Sequence, residues 1–292
     1  MPTNDDTPDA TTASDAAAAV PAAQLSPRDR LDTEVAHSAR RYNYWLGGKD
    51  NFAADRESGD AIAAVYPNIR KAAIENRGFL QRVVAYLVHE VGIRQFLDIG
   101  TGIPTADNTH EVAQRLAPES RIVYVDNDPL VLVHARALLT SAPQGVTAYI
   151  DGDLRDPETI LKDDQFLSTL DLSEPVGLLL IAILQFIDDS HDPYGIMRQL
   201  LDALPTGSYL AVSHPTFDGI PEDVVQDLTA LTKTPGGEFH PRSRDEVARF
   251  FDGTELVDPG LGSIVDWRPD HEPRPTLSAK ATAVYGAVGR LP

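Results

Sequence analysis

The chain has no cysteine and only two methionines and two tryptophans among its 292 residues. Without thiols there is neither a disulfide framework nor a thiolate metal site, which suits a reducing compartment and makes the cytoplasm the expected location. Bases are scarce as well: 25 Lys and Arg stand against 44 Asp and Glu, a formal net charge of −19. Such a surface repels a phosphate backbone at long range, so nucleic acid is not the expected partner. The bases that exist concentrate in residues 28–94, where they slightly outnumber the acids. An anionic group is therefore expected to bind near that segment. Long apolar runs are missing too. The longest, Val176 to Leu184, has nine residues, whereas a membrane-crossing helix needs roughly 20. The first 24 residues contain no Lys or Arg and are rich in Asp, Ala, Thr and Pro. They lack the basic opening of a secretory signal and are expected to form a disordered tail.

What is present is enough apolar material for a core, 42% of the residues. Leu31 to Leu46 and Arg56 to Tyr66 read as helices, the first stopped at Gly47-Gly48 and the second at Pro67. From Phe79 to Val91 the apolar positions follow helical spacing and end at Gly92. Beyond it, β-type runs at Gln95 to Ile99, Ile122 to Asp126, Val146 to Ile150, Val176 to Leu184 and Ser208 to Ser213 alternate with helical ones. Those lie at Asn108 to Leu116, Pro129 to Leu139, Pro157 to Phe166 and Pro193 to Leu204. Alternation of this kind predicts a doubly wound α/β fold, because a helix joining parallel strands must cover a face of the sheet. A helix at Arg244 to Phe251, a short strand near Glu255 to Val257, a Pro-rich loop at Pro269 to Pro275 and a final strand at Ala281 to Val288 complete the chain.

In such a fold the ligand sits beyond the carboxyl ends of the strands. The first turn there is Phe96 to Thr105, with Asp98, Gly100, Thr101 and Gly102. The two glycines remove Cβ atoms that would keep a ligand from the backbone, and the following helix is expected to begin with free N–H groups. A dinucleotide fingerprint requires a third glycine where this chain has Thr105. The Asp-x-Gly-x-Gly pattern suits adenosylmethionine better, since its ammonium group gains from a carboxylate such as Asp98. After the second strand, Asp126 and Asn127 are placed to meet a ribose, which either ligand class carries. After the third, Asp153 is expected to accept from an adenine amino group while Leu154 lies against the ring.

Tyr42-x-Tyr44-x-x-Gly47-Gly48-Lys49-Asp50-Asn51-Phe52, Asn76-Arg77-x-Phe79-Leu80, the Asp98 turn and Tyr124-Val125-Asp126-Asn127-Asp128-Pro129 together resemble the S-adenosyl methyltransferase family long filed as a domain of unknown function. The similarity runs from about Ser38 to the end. It implies a class I, Rossmann-like sheet of seven strands with the last antiparallel, and adenosylmethionine as cofactor. It further implies a helical cap over residues 25–78, with residues 79–292 forming the cofactor-binding domain. Arg77 and Tyr42 in the cap would face the cofactor, as would Gln185, which stands where the resemblance implies a histidine. His214, at the end of the fifth strand, is the candidate general base, with His110 second. The expected acceptor is a small molecule, by elimination of nucleic acid. No metal site is expected. Two other readings stay open at this point: a protein that binds the cofactor without chemistry, and a nicotinamide-dependent oxidoreductase.

Overall fold

The computed structural model describes residues 31–138, 141–234, 236–269 and 277–292. The expected tail and most of the Pro-rich loop lie outside those residues. Three helices come first: α1 (Ser38–Trp45), α2 (Ala53–Val65) and α3 (Ile69–Tyr86), the last continuing through a wider turn, Leu87–Val91, to Gly92. Strands and helices then alternate as β1 (Gln95–Ile99), α4 (Thr109–Leu116), β2 (Arg121–Asp126), α5 (Pro129–Leu138), β3 (Val146–Asp151), α6 (Pro157–Leu161), α7 (Asp164–Thr169), β4 (Gly177–Ile181), α8 (Pro193–Asp202) and β5 (Tyr209–Pro215). The remainder is α9 (Glu222–Leu231), α10 (Arg244–Ala248), the two-residue strands β6 (Glu255–Leu256) and β7 (Gly262–Ser263), α11 (Ala279–Thr282) and β8 (Val284–Arg290).

The strands form one sheet in the order β3-β2-β1-β4-β5-β8-β6, with β7 also on β8. β1 to β5 are parallel, and β8 runs antiparallel to β5 with Ala211 opposite Val288. Among the described residues the sheet thus has eight strands, the expected seven along the main path plus β7. Alternate side chains on each strand enter different cores, as the two-residue period requires. Leu97, Ile99, Val123, Leu178 and Leu180 join Ile160, Phe166, Met197 and Leu200 of α6, α7 and α8. Phe96, Ile122, Tyr124 and Leu179 join Phe79, Val83 and Val84 of α3 together with Trp267. Each fully buried side chain such as Phe79 contributes about 1.5–3 kcal/mol of transfer free energy.

Several expected boundaries move. The first helix begins at Ser38, not Leu31, and α3 begins at Ile69, so the expected division at residue 78 falls inside one continuous helix. Ala72, Ala73, Glu75 and Asn76 are buried on that helix, which joins cap to sheet without a break. β4 ends at Ile181 because Ala182 adopts φ 53° and turns the chain into a single helical turn at Leu184–Phe186. Pro157 to Phe166 is split between α6 and α7, and Ala281 belongs to α11 rather than to the last strand.

Candidate functional site

The strand order reverses between β1 and β4, and a crevice opens at their carboxyl ends. It is roofed by α1 and α2 on one side and by α9 with Thr232, Thr234 and residues 236–239 on the other, enclosing a cavity of about 830 Å³. Asp98, Gly100, Thr101, Gly102, Asp126, Asn127, Asp153, Leu154, Gln185, Arg77 and Tyr42 all line it. His214 and His110 do not.

The β1 turn is shaped by two different constraints. Gly100 has φ 76°, and a Cβ there would meet the side chain of Ile183 at 2.4 Å, so this glycine makes room for the β4 turn rather than for a ligand. Gly102 has φ 69° with nothing within 4 Å of its Cβ position, leaving its face open to the cavity. Its N–H is not free: it donates to Asp126 Oδ2 at 2.7 Å. The expected free helix start is also absent. α4 begins at Thr109, seven residues beyond Gly102, where Asn108 and Glu111 form a capping box and the N–H of His110 donates to the Tyr124 hydroxyl at 2.7 Å. With those donors taken, the helix terminus is not available to a pyrophosphate, and the dinucleotide reading loses its anchor.

The acids are held in distinct states. Asp98 is buried and accepts from Thr109 Oγ1 at 2.6 Å; burial pushes its carboxyl up to about 6. Burial likewise raises Asp126, against the hydrogen bonds it accepts from the N–H groups of Asp128 and Gly102. Asp153 goes the other way: burial alone would raise it, but Arg155 and Asn127 hold it below the usual carboxylate range. Arg155 donates to it from its backbone N–H, Nε and Nη2, and Asn127 Nδ2 adds a fourth bond at 3.2 Å. Four bonds use the acceptor capacity of a carboxylate. An adenine amino group could reach Asp153 only in exchange for one of them, a constraint invisible in the Asp-Gly-Asp sequence.

The cap supplies its residues through α1 and α3. Tyr42 donates to the carbonyl of Ala73 at 3.0 Å and accepts from Asn76 Nδ2 at 3.0 Å, while burial raises its hydroxyl. Asn76 Oδ1 is buried on the cavity wall without a partner. Arg77 Nη2 reaches the carbonyls of Ala106 and Asp107 at 3.2 and 3.1 Å, pinning the loop that follows the glycine turn. The Gly47-Gly48-Lys49-Asp50-Asn51 block does not line the cavity. It is a folded connection in which Asn43 Oδ1 accepts from Asp50 N–H and Asn51 Nδ2. Trp45 does reach the wall, with its indole N–H on the carbonyl of Gly59 at 3.2 Å.

His214 does not face the cavity as the expected base would. It is fully buried, its Nδ1 lies 2.8 Å from the carbonyl of Pro215, and its Nε2 lies 3.1 Å from Arg242 Nη1. Arg242 has only donors, so Nε2 accepts and Nδ1 carries the proton. Burial lowers the imidazole to about 3. Arg242, which sequence reading missed, also donates to the carbonyls of Leu184 and Ile187, on either side of Gln185. Gln185 thereby sits fixed on the wall, its Nε2 on the carbonyl of Ala182 at 2.7 Å and its Oε1 unpartnered. Nothing in the sequence near residue 242 signalled this, because the two carbonyls lie 58 and 55 positions away.

The cap is tied to the sheet by charge. Arg40 Nε lies 3.5 Å from Asp128 Oδ2 and 3.8 Å from Asp55 Oδ1, all three residues being buried. His37 Nδ1 lies 3.0 Å from the same Asp128 oxygen. Burial works against the Asp128 carboxylate, yet the His37 bond and the Arg40 charge bring it below its ordinary value.

Comparison with other proteins places this architecture. No match was found among curated proteins. A solved structure of a DUF574-family protein from Streptomyces avermitilis is 47% identical, with a TM-score of 0.84, over 89% of this chain and 99% of that one. A second, from Thermobifida fusca and described as a candidate methyltransferase, is 40% identical, with a TM-score of 0.80, over 89% of this chain and 96% of that one. The sequence model of the family described as S-adenosyl methyltransferase matches residues 24–292. The chain therefore belongs to the S-adenosyl methyltransferase family, and adenosylmethionine is its cofactor.

Proposed function

We propose that the enzyme transfers the methyl group of adenosylmethionine to a small-molecule acceptor held inside the roofed cavity. The observation that carries this reading is the cavity itself: one space of about 830 Å³, running from the ends of β1, β2 and β3 past Gln185 to the underside of α9. That size lies toward the upper end for small-ligand sites, about 300–1,000 Å³, which suits a nucleoside with a second molecule beside it.

The residues fit the cofactor. Gly102 leaves the backbone approachable, Asp126 offers its remaining lone pairs to the ribose hydroxyls, and Leu154 offers an apolar face to the adenine. Asp98 and the unpartnered Asn76 Oδ1 are acceptors suited to the ammonium group, Arg77 is the cation that would hold its carboxylate, and Tyr42, whose hydroxyl donates to the Ala73 carbonyl, braces Asn76. When bound, adenosylmethionine supplies a methyl group already activated by the sulfonium. The protein's work is then to orient the acceptor and exclude water. No histidine base is needed for that, which accords with the burial of His214.

The test is calorimetric titration with S-adenosylhomocysteine. Binding is expected, and at a ligand concentration a hundredfold above Kd the protein should gain about 2.7 kcal/mol of stability. Asp126→Ala should weaken affinity by tenfold or more, about 1.4 kcal/mol. Undiminished affinity in that variant would remove the ribose assignment, and absence of binding by the wild type would remove the cofactor arrangement.

A further inference from the structure

Beyond Gln185 the cavity enters a chamber whose walls differ in kind from those of the cofactor end. Ile62 of α2, Tyr66, Phe217, Leu228 and Leu231 of α9, and Phe239 supply an apolar lining. The charged side chains bordering it are mostly acidic: Glu34, Glu57 and Glu238 are exposed on the lining. The one guanidinium among them, Arg41, already donates to the carbonyl of Gly236 and to Ser58 Oγ. Gln185 lines the same cavity, and its Oε1 is a buried acceptor without a donor, on a residue only 4% exposed. An unmet buried acceptor of this kind is costly unless a ligand supplies an N–H or O–H.

We propose that this chamber is the acceptor subsite and that it selects a largely apolar molecule carrying an amine, whose N–H donates to Gln185 Oε1. The acidic rim raises the local concentration of cations and disfavours carboxylated or phosphorylated molecules. This reassigns Gln185 from the cofactor to the acceptor, and it rests on the cofactor reading above.

The experiment uses two probes with the same apolar body and opposite charge, 4-phenylbutylamine and 4-phenylbutyrate. Each is titrated calorimetrically into the full-length protein, with and without saturating S-adenosylhomocysteine. The amine is expected to bind and the carboxylate to bind at least about tenfold more weakly, with the difference shrinking at high salt. Gln185→Leu should weaken the amine by roughly five- to tenfold, the worth of one hydrogen bond. Leu228→Lys, on a helix with no buried residue and so compatible with the fold, should weaken it by about tenfold through like charge. Equal or tighter binding of the carboxylate, no binding of the amine, or wild-type amine affinity in Leu228→Lys would overturn the proposal. Failure of S-adenosylhomocysteine to bind is a separate result that strikes the cofactor reading, and the titrations without it still judge the chamber.

Discussion

A carboxyl group pushed toward neutrality by burial changes charge where most acids have long been ionised, and Asp98 does so near pH 6. The sign for stability follows from the raised value: Asp98 favours the folded state fully below about pH 4, and that contribution is lost as pH rises through 6. The sign for binding is opposite, because only the ionised form attracts an ammonium group. Affinity for S-adenosylhomocysteine should therefore fall about tenfold between pH 7 and pH 5, the change set by roughly one unit below the midpoint. Asp98→Asn should flatten that profile. A profile that slopes equally in both proteins would show that Asp98 is not the titrating group.

At the scale of elements, the two turns that meet beneath the cavity depend on each other. Gly100→Ala forces a Cβ onto Ile183 in addition to its positive φ, whereas Gly102→Ala incurs only the backbone strain. Chemical denaturation should register about 1–2 kcal/mol for Gly102→Ala and a further 1–3 kcal/mol for Gly100→Ala. The same contrast explains what could be read from the sequence. β1, β2, β4 and β5 were legible because strands covered on both faces are written as continuous apolar runs. The start of α3 was not, since Ile69 to Gly78 carries Arg, Lys, Glu and Asn and is held by tertiary burial of Ala72 and Ala73. α9 was missed because none of its residues is buried, although Pro221-Glu222-Asp223 marks a helix start and Val224, Val225, Leu228 and Leu231 follow helical spacing. At the site, Asp98 in β1, Asp126 at the end of β2 and Asp153 beyond β3 line one cavity. The hydrogen-bonded states of Asp98 and Asp126 were not legible, because Thr109 and Gly102 reach them through the fold, whereas Arg155 stands only two positions from Asp153.

For the whole molecule, the decisive contact is between the N-terminal helices and everything after them. Arg40 sits between Asp55 of α2 and Asp128, just past the end of β2, with no solvent to share the charge. Arg40→Met should cost about 3–5 kcal/mol in urea unfolding, because two buried carboxylates are left without their cation. A loss under about 1 kcal/mol would mean that His37 alone holds the cap to Asp128. The roof has a second seam, where Arg41 meets Gly236 across 195 positions of chain. α1 thus meets α2 and α3 through nearby stretches of chain, as in Tyr42 on Ala73, whereas the chamber between it and α9 closes only when the distant segment around Gly236 has come into place.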